Sequence, residues 1–317
     1  MDISLAEKPV NVHQDLRDEL LLGLQASPKF INAKFFYDER GSALFAEICE
    51  LPEYYPTRTE IGIFNSHGKS IAAAIGPDCT LFEPGAGNCS KVRHLLSDLQ
   101  PAAYMPLDIS GQYLLSAAAE LRKEFPGLVV EPLIVDFSGD FELPQLGGGG
   151  RRVLFYPGST IGNFEPPTAR DFLARIARLL GSGGGLLIGV DLHKDSDTLH
   201  AAYNDSQGIT VRFNRNILYH ANRLLDARFE PEKFDHVAFY NESERRIEMH
   251  LQSQQDQRVP CGDVTLEFCA GERLLTEYSY KYSLDDFSSL AESAGFIPKA
   301  SWVDAQNWFG VLYFDIA

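Results

Sequence analysis

Carboxylates recur where three successive apolar runs end. Residues 79–83, 104–109 and 128–135 read as strands, and Glu83, Asp108 and Asp136 stand at or just beyond their C-terminal ends. In an open parallel sheet, ligands bind in the crevice outside those ends. A carboxylate at Asp108 can accept both hydroxyls of a ribose, which a neutral side chain does poorly. Asp136 can accept from an adenine amino group while the Phe137 ring packs against the base. Taken singly, Asp108 is equally an acid near a helix N-terminus, with Ser110 competing as the cap, and Asp136 an ordinary loop acid. The first strand runs into Glu83-Pro84-Gly85-Ala86-Gly87, whose glycines let the backbone approach a ligand and turn into a helix. Asn88, Cys89 and Ser90 follow, so the third glycine of a pyrophosphate-binding turn is missing. That disfavours a nicotinamide oxidoreductase. It favours adenosylmethionine, which has no phosphate to rest on a helix N-terminus; an ordinary tight turn is the bland alternative.

A fourth run, residues 152–156, leads into Pro157-Gly158-Ser159-Thr160-Ile161-Gly162-Asn163. Hydroxyls and an amide without full charge suit binding a carboxylate or orienting an amine. The GxSxG pattern of a hydrolase is absent, and neither the eight histidines nor the five cysteines fall at metal-ligand spacing. No metal is expected.

The elements that must position these residues follow a βα rhythm. Helical spacing marks residues 90–99, 112–124 and 169–180, and a fifth, nearly all-apolar strand covers residues 184–192. After it the rhythm breaks. Residues 193–283 turn polar, with a helix at 214–225 and alternating stretches at 236–241, 246–251 and 264–268, an inserted antiparallel lobe. A helix at 284–294 and strands at 299–304 and 309–316 then close the sheet as an edge hairpin. The first sixty residues are helical in pattern up to residues 51–58, whose two prolines and adjacent tyrosines read as a loop over a ligand site. Residues 147–150 read as a glycine connector.

Composition bounds the rest. The 317 residues carry a net charge of −16, with 44% hydrophobic and 23% charged residues. A phosphate backbone would be repelled, so no nucleic-acid partner is expected. The N-terminus has no signal-peptide core, and no uncharged apolar run reaches about 18 residues, so no membrane span is expected. Five scattered cysteines fit a reducing cytosol, and a cytoplasmic monomer is the expectation.

Residues 36–42 (Phe-Tyr-Asp-Glu-Arg-Gly-Ser), the 51–58 segment, Gly158 to Asn163, and Thr276-Glu277-Tyr278-Ser279 resemble the histidine-specific methyltransferase family, over nearly the whole chain from about residue 15. The resemblance implies an α/β fold, a Rossmann-like class I methyltransferase sheet with an inserted α+β substrate-binding lobe. Residues 1–58 and 194–283 would form that lobe, and residues 59–193 and 284–317 the adenosylmethionine-binding domain. It implies trimethylation of the α-amine of L-histidine to hercynine, in ergothioneine biosynthesis. Tyr37, Gly85, Lys91, Asp108, Asp136, Phe137 and Gly158 would line the cofactor site. Tyr54, Asn163, Tyr203, Glu277 and Ser279 would line the amino-acid site, with Asn163 and Tyr203 on the carboxylate and Glu277 and Ser279 on the imidazole.

The residues themselves support part of this. Along a strand at 276–282, Glu277, Ser279 and Lys281 face one side and Tyr278, Tyr280 and Tyr282 the other. A carboxylate and a hydroxyl two apart can address the two nitrogens of an imidazole, although an exposed strand face has the same pattern. Methyl transfer is an in-line displacement that needs a neutral, oriented amine. Hydroxyls of Tyr37 and Thr160 could hold its lone pair in line, and no strong general base is evident. Two alternatives remain: methylation of another aromatic amine, tryptophan-derived or ovothiol-type, and a non-catalytic adenosylmethionine-binding module.

Overall fold

The computed structural model describes residues 12–137, 139, 141–144 and 150–317. In chain order the elements are α1 (Val12–Gln25), α2 (Glu39–Cys49), α3 (Tyr55–Ile75), β1 (Thr80–Pro84), α4 (Arg93–Leu99), β2 (Ala103–Asp108), α5 (Gly111–Glu124), β3 (Val129–Val130), β4 (Leu133–Ile134), β5 (Arg152–Tyr156), α6 (Pro166–Leu180) and β6 (Gly185–Asp191). They continue with α7 (Ser196–Tyr203), α8 (Ile209–Leu225), β7 (Phe234–Asn241), β8 (Arg246–Ser253), β9 (Gln257–Cys261), β10 (Val264–Phe268), β11 (Arg273–Tyr280), α9 (Leu284–Ser293), β12 (Phe296–Val303) and β13 (Phe309–Ile316).

The main sheet runs β12-β13-β6-β5-β1-β2-β3, with β4 also on β2. From β3 to β6 every pairing is parallel, and β13 then inserts antiparallel between β6 and β12. The expected five parallel strand positions and closing hairpin therefore appear, with the last strand inside the edge; the third of the five expected βα units has no helix among the described residues. Helices cover both faces, so β6 is buried along its whole length and reads as an unbroken apolar run. One core lies on each face of the sheet, around Ile71, Tyr104 and Phe155 on one side and Phe82, Ile176 and Phe287 on the other.

The expected third strand is split. Ala103 pairs with Val129 and Leu107 with Leu133, so the register places Pro132 opposite Pro106. Neither ring offers an N–H, and the ladder lapses between β3 and β4. The glycine connector at 147–150 lies outside the described residues except for Gly150.

A second body stands beyond the C-terminal ends of the parallel strands. The three-stranded sheet β11-β8-β7 and the hairpin β9-β10 pack with α1, α2, α7 and α8 around a separate core. That core draws on residues up to Tyr55 and from Leu199 to Leu274. Its helix α8 begins a turn before the expected residue 214, because the Asp205 carboxylate accepts from the free N–H groups of Ile209 and Thr210 at 2.8 and 2.7 Å. Sequence spacing did not reveal α7 or β9.

One expectation is corrected outright. Residues 51–58 are not all loop: α3 starts at Tyr55 and carries Pro56 in its first turn. Proline there forfeits no hydrogen bond, since first-turn N–H groups have no partner within the helix.

Candidate active site

The glycine turn after β1 closes on the end of β2. The N–H groups of Gly85 and Ala86 donate to Leu107 O at 2.7 and 3.1 Å. Gly87 N–H donates to Asp108 Oδ2 at 3.0 Å and Ser110 N–H to Oδ1 at 2.8 Å. Two backbone donors thus aim the Asp108 carboxylate and leave each oxygen a lone pair for a ligand hydroxyl. Gly85 sits at φ +68°, and a side chain there would reach the Phe137 ring at 3.5 Å. The Phe137 ring thus packs close to the bare turn, beside the aimed Asp108 carboxylate. Glu83 is buried behind the turn, hydrogen-bonded by Tyr104 Oη at 2.6 Å, and burial pushes it up to about 8. Asp136 is engaged by Lys34 at 2.8 Å, which also reaches Glu19 at 2.6 Å.

Lys91 is held from an unexpected direction. Glu60, fully buried on α3, accepts from Lys91 Nζ at 2.8 Å and from Gly158 N–H at 2.8 and 3.0 Å. A Cβ on Gly158 would lie 2.6 Å from Lys91 Nζ, and its φ is +82°. The left-handed backbone favours glycine there, while the lysine end could swing aside. Thr160 Oγ bonds Pro157 O at 3.2 Å and starts a 3₁₀ turn ending at Asn163. The Asn163 side chain is half-buried, and its amide makes no hydrogen bond to a described residue. This turn lies flat against β11: a Cβ on Gly162 would come within 2.8 Å of Tyr280 O. Contact between the turn and β11 brings the strand-end loops of the main sheet to the second body.

Tyrosines line the meeting place. Tyr37 and Phe45 have ring centroids 5.5 Å apart, Phe45 and Tyr54 6.1 Å, and Tyr54 and Tyr203 6.5 Å. Ser110 Oγ donates to Tyr37 O at 3.3 Å, tying this row to the end of β2. Burial, seconded by charges that include Glu277, raises the hydroxyls of Tyr37, Tyr54 and Tyr203. They stay protonated and act as donors. Glu277 lies among them on β11; burial pushes it up to about 7, against the pull of Lys281. Its carboxyl changes charge near neutrality, which suits a site that exchanges protons with its ligand.

Below Glu277 on the chain is a buried ionic cluster. Asp191, at the end of β6, binds Lys281 at 2.8 Å and Lys194 at 2.6 Å, and accepts from Tyr55 Oη at 2.7 Å. Lys281 Nζ also donates to Ser279 Oγ at 2.7 Å and Tyr203 Oη at 3.3 Å, and Tyr203 Oη lies 2.8 Å from Ser279 Oγ. Asp191 N–H donates to Ser159 Oγ at 2.9 Å, which accompanies a left-handed Ser159 at φ +57°. Although desolvation opposes it, the two lysines hold Asp191 below the usual carboxylate range.

The expected residues thus fall into two adjoining groups. Gly85, Asp108, Asp136 and Phe137 surround the glycine turn, and Lys91 and Gly158 meet through Glu60. Tyr37, Tyr54, Tyr203, Glu277 and Ser279 share the tyrosine-lined side, and Thr160 and Asn163 lie on the turn against β11. Sequence reasoning missed Glu60, Asp191, Lys194 and Tyr55. Asp191 had a readable signal, being a fourth carboxylate at a strand end. Glu60 had one too, a charge one turn before the apolar Ile63 and Phe64 on α3. Among the described residues no cluster could hold a metal ion, and no helix is long and apolar enough to cross a membrane.

Comparison with known proteins identifies the family. The profile of the histidine-specific, SAM-dependent methyltransferases matches residues 16–316. Histidine N-alpha-methyltransferase of Mycolicibacterium smegmatis is 41% identical over 304 residues, covering 93% of each chain. The protein of that name from Mycobacterium tuberculosis is 39% identical over 307 residues, covering 94% of each. Ergothioneine biosynthesis protein 1 of Neurospora crassa is 30% identical over 284 residues, covering 87% of this chain and 32% of that longer protein. With a profile that matches residues 16–316 and a relative 41% identical over 93% of each chain, the chain belongs to the histidine-specific, SAM-dependent methyltransferase family.

Proposed function

We propose that the protein trimethylates the α-amine of L-histidine to hercynine, a step of ergothioneine biosynthesis. The observation that carries this reading is the Glu277–Ser279 pair beside Tyr203. A carboxylate near its ionisation point and a hydroxyl, two residues apart on β11, match the two nitrogens of an imidazole. Asn163 would take the substrate carboxylate; Tyr203, expected to share it, gives its one proton to Ser279 Oγ at 2.8 Å and lines the ring side instead, and Tyr54 would close the side of the pocket. Gly85, Lys91, Asp108, Asp136, Phe137 and Gly158 would hold adenosylmethionine, which supplies a methyl group on a sulfonium. The Tyr37 and Thr160 hydroxyls would orient the amine lone pair, and the partly buried aromatic row would shield the reacting atoms from water. In this reading residues 1–58 and 194–283 carry the acceptor and residues 59–193 and 284–317 the methyl donor. The first boundary then falls in the first turn of α3. All five cysteines are free, which suits the cytoplasm as its compartment. The test incubates the purified protein with adenosylmethionine and a panel of free amino acids, read by mass spectrometry. Three methyl groups on histidine are expected, and transfer only to indole amines would overturn the assignment.

A further inference from the structure

Lys281 is enclosed, with no side-chain surface exposed, and an ammonium carries three donors and no acceptor. All three are spent, on Asp191 Oδ2 at 2.8 Å, Ser279 Oγ at 2.7 Å and Tyr203 Oη at 3.3 Å. Each hydroxyl therefore gives an acceptor lone pair to the lysine. Tyr203 and Ser279 also bond one another at 2.8 Å, which uses one of their two protons. The proton left over can only be donated away from the cluster. Glu277, two residues before Ser279, is the opposite: once ionised it only accepts.

We propose that Lys281 is a positioning residue that sets acceptor specificity, by forcing the Tyr203–Ser279 pair to present a donor to the substrate ring. This inference rests on the assignment of the substrate ring to Glu277 and Ser279. The pocket then reads a ring with one N–H, for Glu277, and one bare nitrogen, for the hydroxyl pair, which is a neutral imidazole. An indole or pyrrole has the N–H alone and leaves a buried hydroxyl donor unmatched, a mismatch that discriminates strongly. Asp191 fixes the lysine in place, and Lys194 supplies a second cation on the same carboxylate. Removing Lys281 leaves Asp191 paired with Lys194 and Tyr55, so the cluster loses an unbalanced charge and keeps its anchor.

The test compares histidine with the two pyrrolylalanine isomers, in which one or the other ring nitrogen is replaced by C–H. The wild-type enzyme is expected to favour histidine. In Lys281→Met, KM for histidine rises on the order of 10-fold, KM for the pyrroles stays where it was, and the preference shrinks accordingly. The lysine substitution adds little in a Ser279→Ala background, because it acts through that hydroxyl. Adenosylhomocysteine affinity by calorimetry reports whether each variant is folded, and Lys281→Gln, which supplies fewer donors, replaces the methionine variant if that one does not fold. An unchanged preference in the folded variant, or an equal loss on all three substrates, overturns the role of Lys281 and leaves the ring assignment standing. A wild-type enzyme indifferent to the missing nitrogen overturns the ring assignment itself.

Discussion

Replacing Glu277 with glutamine separates what this carboxyl does for binding from what it costs the fold. In the unfolded chain it ionises near 4.5, and in the folded chain near 7, because burial outweighs the Lys281 charge. The groups facing it are the Tyr37, Tyr54 and Tyr203 hydroxyls and the Lys281 ammonium. The folded state thus binds the Glu277 proton more tightly than the unfolded state. Its contribution to stability is complete below pH 4.5 and is lost as pH rises through about 7. The difference between those values corresponds to about 3 kcal/mol at pH 8, and less where water reaches the carboxylate. Glutamine has the same shape and no charge, so ligand-free Glu277→Gln should match wild type near pH 4.5 and exceed it by up to that amount at pH 8. Urea denaturation at several pH values measures the difference. The same substitution replaces the charged acceptor for the ring N–H with a neutral amide carbonyl, and histidine affinity should fall by about 1 kcal/mol while cofactor affinity holds. A variant no more stable than wild type at pH 8, or one that binds histidine as well, would refute the reasoning.

Glu60→Ala strands the Lys91 ammonium and the Gly158 N–H, and stability in urea should drop by about 3 kcal/mol. Adenosylhomocysteine affinity should fall with it, and Glu60→Gln, which keeps an acceptor for Gly158, should recover part of both. Gly162→Ala drives a methyl group against the backbone of β11 at Tyr280 and should cost about 1–3 kcal/mol. Because β11 carries Glu277 and Ser279, KM for histidine should rise while calorimetry shows adenosylhomocysteine binding little changed.

What could be read from the chain alone was what depends on local order. Apolar runs separated by helical spacing announced the parallel sheet, since a strand buried on both faces has to be apolar throughout, as β6 is. The turn at Gly85 and Gly87 was legible because a left-handed backbone favours glycine, and both residues adopt one. Several motifs in order along the sequence carried the family and most of the site residues. Where local signals compete, reading failed: two prolines and paired tyrosines suggested a loop, and position within the first turn let α3 begin at Tyr55 regardless. The rest was decided by tertiary structure. Glu60 meets Gly158 across 98 residues, and Tyr55 meets Asp191 across 136. No periodicity foretells such pairs, because a buried charge is viable only opposite a partner brought in by another element. Lys281 looked like one more residue on a strand face. Only the arrival of β6 and α7 beside β11 gave its three hydrogens their three acceptors, Asp191, Ser279 and Tyr203.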